Sequence, residues 1–92
     1  MATPVGYQQI AAGGADTAVG LTVPTSGQQL PSFCIITPIT QAIRWRDDGT
    51  NPTTTVGMPQ VVNVPFTYNG NLKSFKMISQ TAGAEVDISY YY

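Results

Sequence analysis

The residues that could carry chemistry are few, and they do not form a catalytic set. The 92-residue sequence contains no histidine and a single cysteine, Cys34, which lies in an apolar run. Histidine is the commonest general base, and serine or cysteine nucleophiles depend on such a partner. Neither Gly13-Gly14 nor Gly70 has the spacing of a phosphate-binding loop. We therefore predict a protein that is not an enzyme and that has no cofactor, no metal and no small-molecule substrate.

Two adjacent carboxylates, Asp47 and Asp48, stand in a run of turn-forming residues before Gly49. With Asn51 they could bind calcium, but the spacing differs from the known calcium loop, which alternates acidic ligands and ends in glutamate. A catalytic carboxylate pair is disfavoured, because no other reactive residue is expected to converge on it. The pattern favours a structural turn, in which Asp47 caps the turn and Gly49 takes a positive φ.

Aromatic residues beside cations form a second group of interest. Arg44 and Arg46 flank Trp45, and an arginine beside an aromatic ring can stack on a sugar or a base. We expect instead that Trp45 anchors the core near Ile43, Val86 and Ile88 and that the arginines pair with carboxylates. A carbohydrate-binding module, with Trp45 and the tyrosines as its stacking platform, is the alternative from another functional class.

Low charge is the most unusual feature of the composition. Only 10% of the residues are charged and the net charge is -1, whereas roughly 25% is typical. Polarity comes from neutral side chains, which cost less to dehydrate against a partner than charged groups do. This favours a protein that works in an assembly and forms homo-oligomers over a small secreted domain. The four basic residues are too few for a nucleic-acid partner. The sequence has no apolar run of ~20 residues and no secretion signal, so we expect no membrane partner either.

The secondary structure is expected to be mostly strand, because Pro and Gly recur along the chain and β-branched residues are plentiful. Turns are predicted at residues 24–27, 47–52 and 81–84, with a hairpin at Asn69-Gly70. Strands are predicted at residues 5–10, 18–23, 33–36 (ending near Pro38), 40–46, 53–56, 61–68, 73–79 and 85–92. This spacing predicts an all-β fold, a small antiparallel β-sandwich or barrel-like domain.

The single domain is expected to span residues 31–92, preceded by a loosely structured N-terminal segment, residues 1–30. Because this segment is almost uncharged, we expect it to act as an arm that contacts neighbouring subunits, with Val5, Tyr7 and Ile10 as candidate interface residues. The alternative is that it completes the sandwich of its own chain. Tyr91 is a further interface candidate, because it faces away from the apolar side of the last strand and tyrosine is enriched at interfaces.

Several runs in the second half of the chain resemble a known class of protein. They are Arg-Trp-Arg-Asp-Asp-Gly at residues 44–49, Val-Gly-Met-Pro at 56–59 and Phe-Thr-Tyr-Asn-Gly-Asn-Leu at 66–72. Residues 40–92 resemble small structural proteins encoded among the virion genes of tailed bacteriophages. The resemblance implies a virion protein. Because the low charge suits a dehydrated, multi-copy interface, we expect a minor capsid or head-decoration protein that contacts the major capsid protein, with a tail or neck component as the alternative. It implies no catalytic residues.

Overall fold

The regular secondary structure of the described residues consists of β-strands. The computed structural model describes residues 3–12, 17–23 and 31–92, and these contain no helix. The strands are β1 (Pro4–Ala11), β2 (Val19–Gly20), β3 (Phe33–Ile39), β4 (Ile43–Arg46), β5 (Met58–Gln60), β6 (Phe66–Tyr68), β7 (Lys76–Ser79) and β8 (Glu85–Tyr91). They form two antiparallel four-stranded sheets, in the orders β1-β8-β3-β6 and β2-β7-β4-β5. The all-β prediction is confirmed.

The core lies between the two sheets and follows from the alternation of side chains along each strand. In β8, Val86, Ile88 and Tyr90 are buried while their neighbours are not. Burial of Cys34 raises the pKa of its thiol to about 12, as suits an inert buried cysteine. Among the described residues, the large side chains with almost no exposed surface include Cys34, Ile36, Pro38, Ile43, Phe75, Met77, Val86, Ile88 and Tyr90.

Strand β3 continues through Pro38, where the sequence predicts its end. The Pro38 carbonyl accepts a hydrogen bond from the Asn63 N–H at 2.7 Å, on the side away from β8. The nitrogen and the carbonyl of one strand residue point to the same side. The missing N–H of Pro38 therefore faces away from β8, and the β3–β8 ladder loses no hydrogen bond.

The strand that returns beside β4 is β5, not residues 53–56 as the sequence predicts. The Thr53 N–H donates to the Val56 carbonyl at 2.8 Å, and the Thr53 hydroxyl accepts from the Val56 N–H at 3.0 Å. These bonds close a local turn, because a threonine hydroxyl competes with a sheet ladder for nearby backbone donors.

No hairpin forms at Asn69-Gly70, because β6 and β7 belong to different sheets. Neither residue has the positive φ that a two-residue hairpin needs. The chain instead crosses from one sheet to the other between Tyr68 and Lys76. Leu72 and Phe75 are buried on the way, so their burial in the core decides against the hairpin.

The described part of the N-terminal segment belongs to the chain's own sheets. β1 pairs with β8 from Pro4 to Ala11, with a bulge at Val5. Both Val5 and Ile10 pack against the core. β2 is shorter than predicted and pairs with β7, while the turn predicted at residues 24–27 lies outside the described residues. The described part of the segment therefore completes the sandwich of its own chain, which is the alternative to an arm. Contacts with neighbouring subunits stay a prediction.

Candidate interaction surfaces

Trp45 lies in an aromatic cluster that joins the two sheets. Its ring stacks on Phe66 with centroids 5.8 Å apart and on Phe75 at 5.2 Å, and it meets Tyr68 edge-on at 5.6 Å. Trp45 is partly buried and packs against the core cluster that contains Ile43. Stacking of this kind engages the ring in the fold, where a sugar-binding platform would need it free.

The turn after β4 is tied to this cluster through Asp47. The Tyr68 hydroxyl donates to the Asp47 carboxylate at 2.6 Å. Asp48, rather than Asp47, accepts a backbone N–H of the turn, from Thr50 at 3.3 Å, and it also accepts the Arg46 guanidinium. This hydrogen bond with Arg46 lowers the pKa of the Asp48 carboxyl and raises that of Arg46. The aspartates therefore shape the turn that follows β4.

A valine at Gly49 should lower the free energy of unfolding by about 1–2 kcal/mol. Gly49 has a φ of +89°, which a β-branched residue resists. An added Cβ would meet no atom within 4 Å, so the cost is in the backbone conformation and not in a clash. Gly49→Asn is the matched control and should cost less, because asparagine tolerates a positive φ. Urea unfolding compares the variants, and an unchanged midpoint in Gly49→Val would contradict the expectation.

The carboxylates of the turn do not meet further metal ligands. Across residues 3–12, 17–23 and 31–92, no three His, Cys, Asp or Glu side chains converge in a way that could hold a metal ion. Tyr68 donates to one carboxylate oxygen of Asp47, and Arg46 and a turn N–H donate to Asp48. The structure therefore shows protein donors around these carboxylates.

Exposed apolar side chains are concentrated in residues 56–64, hereafter the 56–64 segment. Five large side chains in it are between 38% and 59% exposed. They are Val56, Met58, Val61, Val62 and Val64. The segment contains no charged residue, and it includes the edge strand β5. Apolar side chains gathered in this way are typical of a contact surface.

Contacts with β4 hold the start of the 56–64 segment in place. The Arg44 guanidinium donates to the Gly57 carbonyl at 3.0 Å. Gly57 has a φ of +144°, and a Cβ there would lie 3.1 Å from the Arg44 Cβ and 3.2 Å from the Trp45 carbonyl. Only glycine fits this approach of the segment to β4 without a shift of its neighbours.

The later part of the segment is held by two further hydrogen bonds. The Asn63 N–H donates to the Pro38 carbonyl of β3 at 2.7 Å, and the Gln60 side chain donates to the Val64 carbonyl at 3.1 Å. Asn63 itself has a φ of +64°, which asparagine tolerates better than most residues. The exposed valines are thus displayed on a fixed backbone.

The sequence does not predict this surface, because its pattern favours one strand over residues 61–68, broken or bulged at Pro65. Only Phe66–Tyr68 forms a strand there, and it pairs with β3. The available signal was a valine-rich run between Pro59 and Pro65. A proline at each end of the run is more typical of a loop or an edge than of a central strand, because proline lacks a backbone donor.

The four predicted interface residues lie in different environments. Val5 and Ile10 pack against the core of their own chain. Tyr7 is 64% exposed, and a side-chain hydrogen bond to Asp87 raises the pKa of its hydroxyl. Tyr91 is partly buried and stacks on Phe33 with centroids 5.2 Å apart. Of the four, only Tyr7 is available over most of its surface.

Buried ionisable groups should make the fold sensitive to alkali. Burial raises the pKa of Cys34 to about 12 from 9.0 and raises the pKa values of Tyr68 and Tyr90 above 10.0. Because each folded pKa exceeds the unfolded value, the stabilisation is complete below the unfolded pKa and is lost as the pH rises towards the folded one. We expect the free energy of unfolding to fall from about pH 9 upward, by up to ~1.4 kcal/mol per pH unit for each group.

Chemical unfolding at a series of pH values measures this decline. Cys34→Ala removes the group that begins to titrate first, so in that variant the decline should begin nearer pH 10.0, the ordinary pKa of the tyrosines. A wild-type stability that is flat from about pH 8 to about pH 11 would contradict the expectation.

Comparison with known proteins adds no relative. Within the described residues, no helix is long and apolar enough to cross a membrane. No family model, no curated protein and no solved structure matches the chain. Its composition and the surfaces above are therefore the grounds on which a function can be inferred.

Proposed function

We propose that the chain is a structural protein of a tailed-phage virion, a minor capsid or head-decoration protein that binds the major capsid protein. The observation that carries the proposal is the 56–64 segment, which displays five exposed apolar side chains in a chain with only 10% charged residues. The resemblance of residues 40–92 to virion structural proteins supports the same function.

The 56–64 segment has the composition of an interface core. Such cores are apolar and poor in charge, whereas free soluble domains rarely display large apolar patches. A shallow groove beside the segment is lined by Arg46, Asp48 and Met58. Because Arg46 and Asp48 pair with each other there, a partner that covers the groove need not supply a compensating charge. A polar rim around an apolar centre is typical of stable protein contacts.

Copy number in purified particles tests the proposal. Quantitative mass spectrometry should find the chain in virions at a fixed ratio to the major capsid protein. On the order of hundreds of copies indicates head decoration, while about a dozen or fewer indicates the neck or tail, the alternative within the same class. Absence of the chain from purified particles would overturn the proposal.

Binding of variants to particles that lack the chain tests the role of the 56–64 segment. We expect the Val61→Asp/Val62→Asp double variant to bind at least about tenfold more weakly, because two charges would have to be dehydrated at the contact. Thr67→Asp is the matched control, since Thr67 is exposed in β6 outside the segment. Equal binding by the double variant and the wild type would show that another surface makes the contact.

A further inference from the structure

The four sheet edges in the described part of the chain differ in length. β1 and β6 are the edges of one sheet, and β2 and β5 are the edges of the other. β2 has two residues, and β5 and β6 have three each, whereas β1 has eight. A long edge strand presents a row of unpaired backbone groups to which another strand can add.

The pairing of β1 with β8 shows which backbone groups face this edge. The Ala12 N–H donates to the Ala84 carbonyl at 2.9 Å, so Ala12 faces β8. Alternate residues of an antiparallel strand point their N–H and C=O to the same side. Ile10 and Gln8 therefore face β8 as well, in the register that pairs Ile10 with Val86.

The residues between them face outward. Tyr7, Gln9 and Ala11 direct their N–H and C=O away from β8, towards the edge with which no other described strand pairs. β1 carries no charged residue, and its only proline is Pro4, its first residue. From Gly6 to Ala11, β1 therefore has no lysine and no proline that would block the edge, and its bulge at Val5 lies outside this stretch.

The edge at β5 is blocked in this way. The Ala42 carbonyl accepts the Gln80 N–H on the β7 side of β4. By the same alternation, Ile43 and Trp45 face β5, and the outward-facing residue of β5 is Pro59. Since Pro59 has no N–H, this edge offers no central donor to an added strand. The contrast leaves β1 as the edge best suited to pairing.

We propose that β1 pairs with β1 of a second copy of the chain, antiparallel about a two-fold axis at Gln9. In this register Gln9 lies opposite Gln9 of the second copy, and Tyr7 lies opposite Ala11. All three outward N–H groups of each copy then find a carbonyl, and the two four-stranded sheets join into one. The inference deepens the proposed function, because it supplies the contact between copies of a multi-copy virion protein.

The side chains of β1 suit this register. A large residue, Tyr7, comes to lie opposite a small one, Ala11, and no like charges oppose each other across the axis. Gln9 donates to Asp87 at 2.7 Å, so the carboxylate beside the axis is already engaged within its own chain. An axis at Tyr7 would instead bring the bulge at Val5 into the ladder.

Sedimentation of the purified full chain tests the proposal. The wild type should form dimers, and Gln9→Pro should weaken dimerisation by about tenfold or more, because it removes the central outward donor of both copies. Thr67→Pro is the matched control. Thr67 lies in β6, the other edge strand of the same sheet, and its two neighbours face β3, so the N–H of Thr67 points outward as that of Gln9 does. It should leave the dimer unchanged.

A cross-link keeps the test valid if Gln9→Pro fails to fold. A short thiol-specific cross-linker should join Gln9→Cys to itself and leave Thr67→Cys monomeric, while native Cys34 is buried and gives no background. A monomeric wild type, or dimers that Gln9→Pro leaves intact or that cross-link through Thr67→Cys, would overturn the proposal. A monomeric chain in virions would refute this inference alone, whereas a dimer absent from virions would refute only the proposed function.

Discussion

Replacing Trp45 by alanine should lower the free energy of unfolding by about 3 kcal/mol or more. The ring of Trp45 contacts Phe66, Phe75 and Tyr68 at centroid distances of 5.2 to 5.8 Å. Phe66 and Tyr68 belong to one sheet and Trp45 to the other, so the substitution removes a contact that holds the layers together. The loss is a large share of the roughly 5–15 kcal/mol that a domain has in total.

Two controls separate this effect from a general loss of apolar surface. Trp45→Phe keeps an aromatic ring in the cluster and should cost less than half as much. Val61→Ala shortens an exposed side chain and should change stability by less than about 0.5 kcal/mol. Trp45 is the only tryptophan, so its fluorescence reports on the site directly. An emission maximum equal to that of indole in water, and unchanged on denaturation, would contradict the packing of Trp45 against its aromatic neighbours.

The parts of the fold that the sequence predicted well depend on local patterns. The alternation in residues 85–92 gives the buried face of β8, because side chains of a strand point to opposite sides in turn. The end of β4 at Arg46 follows from a run of turn formers. In both cases neighbouring residues decide the structure.

The errors arise where distant contacts override a local preference. Asn69-Gly70 has the composition of a hairpin, but burial of Leu72 and Phe75 carries the chain across to the other sheet. Pro38 is a strand breaker by composition, yet it fits because its missing N–H faces away from β8, beyond the residues of β3 that pair with β6. Such outcomes require knowledge of the sheet order, which a single sequence does not contain.

The candidate surfaces were harder to predict than the core for the same reason. Val61 and Val62 are apolar and β-branched, which favours burial in a strand, but they are exposed in a loop after β5. Tyr7 was predicted as an interface residue and is exposed, whereas Val5 and Ile10 in the same strand are engaged in the core. Which residues face outward depends on the partner strand, and β1 finds its partner about 80 residues away, at β8.

Deletion of residues 1–14 should leave the chain unable to fold. The deletion removes the whole of β1, which pairs with β8 from Pro4 to Ala11. It also removes Val5, Ile10 and the fully buried Ala12 from the core. Burial of an aliphatic side chain the size of isoleucine contributes about 1.5–3 kcal/mol. With the lost ladder hydrogen bonds, the deletion removes most of the roughly 5–15 kcal/mol that stabilises such a domain.

The same deletion distinguishes a structural strand from an arm, because an arm could be removed without unfolding the rest. Circular dichroism and thermal melting of the truncated chain give the answer, with full-length Tyr7→Ser as the control. Tyr7 is mostly exposed, so this variant changes the outer side of β1 but leaves the β1–β8 pairing and the core side chains in place, and it should melt cooperatively. A truncated chain that melts cooperatively but no longer joins particles would restore the arm. Loss of folding would mean that β8 cannot be left as an edge, since its buried residues Val86 and Ile88 would lose one of the two strands that pair with them.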